Sequence, residues 1–176
     1  MSYVLFKMWQ PFREHLIARH NFFMEQAQKR LLSQFMNIGA EADEYGNNWL
    51  NEQGHYFDPD RHDPDSFLEQ AYDESMGFYS LLADMQTNTR LSVVAGMFHE
   101  WDKQLRDWTL REINHWHHGD AVKKTVWKAN FSEIIELFES FGWPIKQKNY
   151  YKAIDKCRLV VNVYKHGSGN AFDSIK

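Results

Sequence analysis

YYKAIDKCRLVVNVYKHGSGN, from Tyr150 to Asn170, combines the apolar spacing of a helix with a dense set of potentially reactive side chains. Gly167 stands where a helix would end in the left-handed cap conformation. Arg158, Asn162 and His166 follow one another at intervals of four residues, so they fan over about 80° of one helical face. The stretch therefore predicts a helix whose end presents a fixed cation, an amide and an imidazole together.

Length and composition indicate a globular chain. Its 176 residues fit a single helical domain spanning 1–176, and 43% of them are hydrophobic and 16% aromatic, too many for a disordered protein. Cys157 is the only cysteine, so there is no disulfide framework and a reducing cytoplasm is the expected location. Because it falls in an apolar helix, we expect its thiol to be a small buried hydrophobe rather than a reactive group.

The charge balance limits the classes of partner. Lys plus Arg number 20 and Asp plus Glu number 24, a net charge of −4, which argues against nucleic-acid wrapping through bulk charge but leaves room for a local basic site. No apolar run approaches the roughly 20 residues that cross a bilayer, and the N-terminal MSYVLFKMWQPFREH lacks the apolar region of a signal peptide. We therefore predict a cytoplasmic protein with no membrane partner.

Helical periodicity accounts for most of the chain. The polar run QTNT at 86–89 should separate two long helices that form an antiparallel pair, and 121–128 should be a helical turn or an extended connection. The expected helices are Pro11–Ile38, a helix capped by Asp65 or Ser66 and running to Met85, Arg90–Trp116, Phe131–Phe141 with an Asn130/Glu133 capping box, and the final helix. We predict an all-α, up-and-down helical bundle of about five to six helices.

Two clusters could bind a metal, and each has a simpler interpretation. GHYFDPDRHDPD, from Gly54 to Asp65, is crowded with His and Asp, but it matches no calcium or zinc pattern and its Asp-Pro pairs are ordinary turn chemistry. HWHHGD, at 115–120, could bind zinc, but histidines at a helix end are favoured there by the dipole and by solvent exposure. We expect both to be solvated and assign no metal to either.

The third metal candidate is an E-x-x-H pair, Glu112 and His115, the spacing that ligates di-iron centres in helical bundles. Such a centre needs a second copy of the pair and two further glutamates on facing helices. The other E-x-x-H in the sequence, Glu52 and His55, runs into the loop that begins at Gly54 and does not supply a matching pair on a facing helix. We therefore predict neither a metal nor any other cofactor.

The polar groups of the last helix fit chemistry on a phosphodiester. An imidazole such as His166 can take a proton from a hydroxyl or return one to a leaving oxygen, and Arg158 can hold the phosphate with forked hydrogen bonds. Asn162 would orient the imidazole or the phosphate, and Lys165 would add positive charge beside it. With those groups at an RNA backbone, the 2′-hydroxyl is the nucleophile and no metal is required.

The run IDKCRLVVNVYKHGSG, preceded by ANFSEIIELFESFGW, resembles the C-terminal part of bacterial HEPN-type helical proteins. In that superfamily an Arg and a His, usually four to six residues apart, form a metal-independent ribonuclease site near the end of one helix. Here seven residues separate Arg158 from His166. The resemblance implies a dimeric helical bundle of toxin–antitoxin or phage-defence type, with Arg158 and His166 as the site pair. RNA and a protein antidote are the implied partners.

A non-catalytic interpretation stays open. Asn162 and His166 could simply hydrogen-bond at a helix C-terminus, and Arg158 could pair with Asp155 three residues before it. The protein would then be a helical dimer that acts as a protein- or RNA-binding module. The surplus of aromatic and Met side chains supports a homodimer in both interpretations, because a second copy would cover the apolar surface that remains.

Overall fold

The computed structural model describes residues 7–167, and within that range the chain is all-α with no strand. The α-helices are α1 Gln10–Arg30, α2 Ile38–Gly54, α3 Pro64–Ile113, α4 Asp120–Lys128, α5 Phe131–Ser140 and α6 Asn149–His166. Short 3-10 helices cover Leu32–Phe35 and Ile145–Gln147. The prediction of an all-α, bundle-like fold of about five to six helices is confirmed over this range. The expected non-helical tail after Gly167 lies outside the described residues.

The chain divides into two compact units. Unit 1 comprises Met1–Met24 and Leu91–Lys176, and unit 2 comprises Glu25–Arg90. Helices α1 and α3 contribute residues to both. The interpretation of 1–176 as a single domain stays a prediction, because a division by contacts does not show whether the two units fold and unfold together.

The core of unit 1 is built around α5. Its sequence FSEIIELFES places apolar residues on one side, and Ile134, Ile135 and Phe138 are essentially inaccessible to solvent. Phe138 stacks on Trp108 of α3, with 5.8 Å between ring centroids. The predicted capping box is confirmed: Asn130 Oδ1 accepts from the Glu133 amide at 3.0 Å, and Glu133 Oε2 accepts from the Asn130 amide at 2.6 Å.

Unit 2 contains a close crossing of α2 and the first part of α3. Gly46 is buried, and a Cβ added there would lie 2.9 Å from both the Ala71 carbonyl oxygen and the Ser75 Cβ. Tyr45, the residue before Gly46, stacks on Phe78, which lies about one turn beyond Ser75, with 4.4 Å between ring centroids. Small residues therefore set the distance between the two helices, and an aromatic pair closes the contact.

The structure corrects two predicted helix boundaries. The break at 86–89 is wrong, because α3 continues through it: Thr89 Oγ1 donates to the Met85 carbonyl at 2.8 Å, so this polar residue is accommodated within the helix. The chain breaks instead inside the predicted helix Pro11–Ile38. There Ser33 Oγ donates to the Lys29 carbonyl at 2.8 Å, and the backbone tightens into 3-10 geometry before α2 begins.

Two smaller expectations also change. Residues 120–128 form a complete helix, α4, rather than a single turn or an extended connection. Helix α3 starts earlier than expected, with Pro64 in its first turn and Asp63 Oδ1 accepting from the Asp65 amide at 3.1 Å. Asp63 is thus the capping side chain, in place of Asp65 or Ser66. Between residues 7 and 167, no helix combines the length and the apolar character needed to cross a membrane.

Candidate functional site

Helix α6 ends as its sequence predicts. It runs to His166, and the Gly167 amide donates to the Val163 carbonyl at 2.8 Å. Gly167 has the positive φ expected of a glycine cap, 68°, but its ψ of −144° differs from that of the predicted left-handed conformation. Arg158 and Asn162 are half-buried, whereas Lys165 and His166 are exposed. The polar fan therefore runs from the protein interior at Arg158 to the surface at the helix end.

A cavity of about 410 Å³ opens beside α6, and Arg158 and Asn162 both line it. The other lining residues come from α3 and from the start of α5; they are Phe98, His99, Asp102, Arg106, Asn130, Phe131 and Ser132. His166 is not one of the residues that line this cavity. The structure thus brings two of the predicted site residues together with His99, an imidazole from a different helix, and the part assigned to His166 stays a prediction.

Arg158 has hydrogen-bonding capacity to spare. Its Nε donates to Asp155 Oδ1 at 2.8 Å, which is the ion pair anticipated from the sequence. Its guanidinium carbon lies 5.9 Å from the centroid of the Phe131 ring. Among the described residues, Asp155 is its hydrogen-bonding partner and only Nε is engaged. The two Nη groups are therefore left to bind an anion that enters the cavity.

Arg106 serves the fold instead. It is 7% exposed, its Nε donates to Asp102 Oδ2 at 2.8 Å, and its Nη1 donates to the carbonyls of Val126 and Ala129 at 2.6 and 2.8 Å. Those carbonyls lie at the C-terminal end of α4, where helices leave acceptors unsatisfied. Arg106 thus joins α3 to the end of α4 with its charge balanced by Asp102, and it is not available to a phosphate.

His99 is the group that the sequence interpretation missed. Burial lowers its pKa below the ordinary 6.5, the nearby Lys165 lowers it further, and Asp102 acts in the opposite direction. The imidazole is therefore neutral at neutral pH and able to accept a proton. One signal was present in the sequence: His99, Asp102 and Arg106 recur at helical spacing along one polar face of α3.

Cys157 is exposed, so the expectation of a buried thiol is wrong. The side chains of Ile154, Arg158 and Val161 lie on the packed face of α6, and Cys157 lies at the edge of that face. The thiol lines an apolar cavity of about 430 Å³, shared with His20, Met24, Val94, Met97, Phe98, Trp101, Ala153 and Ile154. No Lys or Arg is among these lining residues, so the cavity places no permanent cation beside the thiol to activate it as a nucleophile.

The side chains of the two suggested metal clusters either form local hydrogen bonds or are exposed to solvent. In the loop before α3, Asp58 Oδ1 accepts from the Asp60 amide at 3.0 Å and His62 Nδ1 accepts from the Asp58 amide at 2.9 Å. The histidines at 115, 117 and 118 are exposed beyond the end of α3. Over residues 7–167, no three His, Cys, Asp or Glu side chains converge as metal ligands would.

Comparisons of this chain with protein-family models, with curated proteins and with solved structures found no match. The all-helical architecture is compatible with a HEPN-like fold, and assignment to that superfamily stays a prediction from the motif of α6. The chemistry of the cavity is described by its own residues: a guanidinium with free donors, an amide and a neutral imidazole.

Proposed function

We propose that this chain is a HEPN-like, metal-independent endoribonuclease of toxin or phage-defence type, with its active site in the cavity beside α6. The supporting observation is that Arg158, Asn162 and His99 line one cavity, although they come from two helices. A phosphodiester needs a cationic donor to hold it and groups that move protons. Those are the groups that this cavity provides.

Arg158 would bind the scissile phosphate through its two Nη groups, because its Nε is already held by Asp155 at 2.8 Å. That ion pair fixes the guanidinium plane before the substrate arrives. Asn162, one turn further along α6, would hydrogen-bond a non-bridging oxygen or an imidazole. Lys165 adds positive charge close enough to act on His99.

Two imidazoles would share the proton transfers. His99, whose lowered pKa keeps it neutral, would accept the proton of the 2′-hydroxyl as that oxygen bonds to phosphorus. His166, which is exposed at the end of α6 and does not line the cavity, is the general acid that the motif assigns; it would donate a proton to the 5′-oxygen as the bond from that oxygen to phosphorus breaks. The products are a 2′,3′-cyclic phosphate and a 5′-hydroxyl, and no metal takes part in either transfer.

The test is RNA cleavage in EDTA by the wild-type chain and by matched variants. We expect His99→Ala and His166→Ala each to lower the cleavage rate about 10²- to 10⁴-fold, the range for a general acid or base. Arg158→Ala should weaken RNA binding as well as cleavage. The control is His117→Ala, an exposed histidine that lies beyond the end of α3 and outside both the cavity and α6, which should cleave like the wild type.

Three results separate this proposal from its alternatives. Equal cleavage by wild type, H99A and H166A would remove both histidines from the chemistry. RNA binding that needs Arg158, without cleavage of structured or single-stranded RNA, would identify a binding module instead. Loss of activity in H166A with full activity in H99A would show that Arg158 and His166 form the catalytic pair and that His99 takes no part in the proton transfers.

The resemblance also implies a cytoplasmic homodimer that acts with a protein antidote, and we include both in the proposal. Sedimentation equilibrium of the purified chain tests the dimer. A monomer at about 100 µM, far above ordinary dimer dissociation constants, would contradict it.

A further inference from the structure

Unit 2 has a charge very different from the rest of the chain. Between Glu25 and Arg90 there are 13 Asp and Glu but only 4 Lys and Arg, a net charge of −9, against −4 for the whole protein. The only ion pair found within this unit's described residues joins Arg61 to Asp58. Most of its carboxylates therefore have no cation beside them.

The same unit exposes a row of large apolar side chains on α3. Leu68, Tyr72, Met76 and Tyr79 are 56%, 63%, 46% and 40% exposed. At about 100° per residue they lie within an 80° sector of the helix. This row, named here the α3 stripe, is distinct from the buried face that meets α2 through Ala71. It extends over about 16 Å, or three helical turns.

Acidic residues border the α3 stripe. Asp65, Glu69 and Asp73 are exposed and recur every four residues; Asp65 lies at the N-terminal end of the stripe, and Glu69 and Asp73 lie beyond one edge of it. None of them forms an ion pair within the described part of the chain. An apolar row edged by unpaired carboxylates is complementary to a helix with an apolar face and Lys or Arg beside that face.

We propose that the α3 stripe docks a basic amphipathic helix of a partner protein. Leu and Met side chains of that helix would cover Tyr72 and Met76, and its Lys or Arg side chains would meet Glu69 and Asp73. Nucleic acid is disfavoured because its phosphates would face carboxylates. A second copy of the chain is disfavoured on this face because it would oppose two acidic edges. The proposal does not depend on ribonuclease activity.

The probe is an 18-residue peptide of Leu and Lys in amphipathic helical order, labelled for fluorescence anisotropy with the full chain. Two control peptides are a scrambled peptide of the same composition and a peptide with Glu in place of Lys. We expect binding of the first peptide only, weakened at least about tenfold between about 0.05 and 0.5 M NaCl, because charge attraction is screened.

Variants of the chain locate the site. Tyr72→Ser with Met76→Ser, and separately Glu69→Lys with Asp73→Lys, should each weaken binding about tenfold or more. The matched control is Leu81→Ser with Met85→Ser, at 69% and 58% exposure elsewhere on α3, which should bind within about twofold of wild type. All substituted residues are exposed, so far-UV circular dichroism should be unchanged, and RNA cleavage should be unaffected.

The proposal is overturned by any of four results. The amphipathic peptide fails to bind at about 100 µM, a concentration well above micromolar dissociation constants. It binds no better than its scrambled form, or the control variant loses as much affinity as the stripe variants. Wild type is a dimer while Tyr72→Ser with Met76→Ser is a monomer, which would make a second copy the occupant.

Discussion

His99 lies between charges of opposite sign, and their balance decides how readily its imidazole accepts a proton. Burial disfavours the charged imidazolium and is the largest cause of its lowered pKa. Lys165 lowers that pKa further by repulsion, whereas Asp102 raises it by attraction. Nε and Nη2 of Arg106 both donate to the carboxylate of Asp102. The positive charge of Arg106 therefore offsets part of the attraction of Asp102 for a protonated His99.

Lys165→Met tests this balance. Removing the ammonium removes the repulsion, so the pKa of His99 should rise toward 6.5, and the acid limb of the cleavage–pH profile should move to higher pH with it. An NMR titration of the His99 ring measures the pKa directly. Lys152→Met, an exposed lysine on the same helix, is the control. A His99 pKa unchanged by Lys165→Met, or moved equally by both variants, would contradict the assignment.

At the residue scale, the sequence revealed only the part of the site that lies on one helix. Arg158 and Asn162 were predictable because four-residue spacing places them on one face of α6. His99 was not, since its proximity to them depends on how α3 packs against α6. The exposure of Cys157 was missed for the same reason: periodicity gives a helix an apolar side but does not say where its buried sector ends.

At the scale of elements, type was predictable and boundaries were not. Helix α5 has a capping box before it and apolar residues through it, and it forms where expected. Helix α3 continues through 86–89 because QTNT contains no Pro or Gly, and each Thr or Asn costs a helix no more than about 0.7 kcal/mol. Potential cap residues do not end a helix when the backbone on both sides stays helical.

The crossing of α2 and α3 gives a prediction with an internal control. Gly46→Ala should lower the free energy of unfolding by about 1–3 kcal/mol, because the new Cβ would lie 2.9 Å from the Ala71 backbone oxygen and force the helices apart. Gly77→Ala should raise it by about 1 kcal/mol, because that helical glycine has open space around it. Urea unfolding followed by circular dichroism measures both. Destabilisation by both substitutions, or by neither, would contradict a crossing set by Gly46.

For the whole molecule, the net charge of −4 is the sum of an acidic unit and a basic remainder. With −9 in Glu25–Arg90, the remainder of the chain carries +5, and that remainder contains Arg158 and Lys165. The sequence argument allowed a local basic site within an acidic protein, but the total charge alone could not locate it. The tertiary fold groups the N-terminal residues with the last half of the chain, and this grouping makes the division visible.

This division predicts how RNA binding depends on salt. A site that contacts only one to three phosphates should give a shallow slope of log affinity against log salt, about −0.7 per phosphate for single-stranded RNA. Arg158→Gln should make the slope about 0.7 less steep, because one phosphate contact is lost. Arg61→Gln, in the acidic unit, should leave it unchanged. Fluorescence anisotropy of a labelled oligonucleotide over a salt series measures all three slopes. If Arg158→Gln and wild type have the same slope, Arg158 does not bind phosphate, and the cavity beside α6 loses the contact on which the ribonuclease proposal depends.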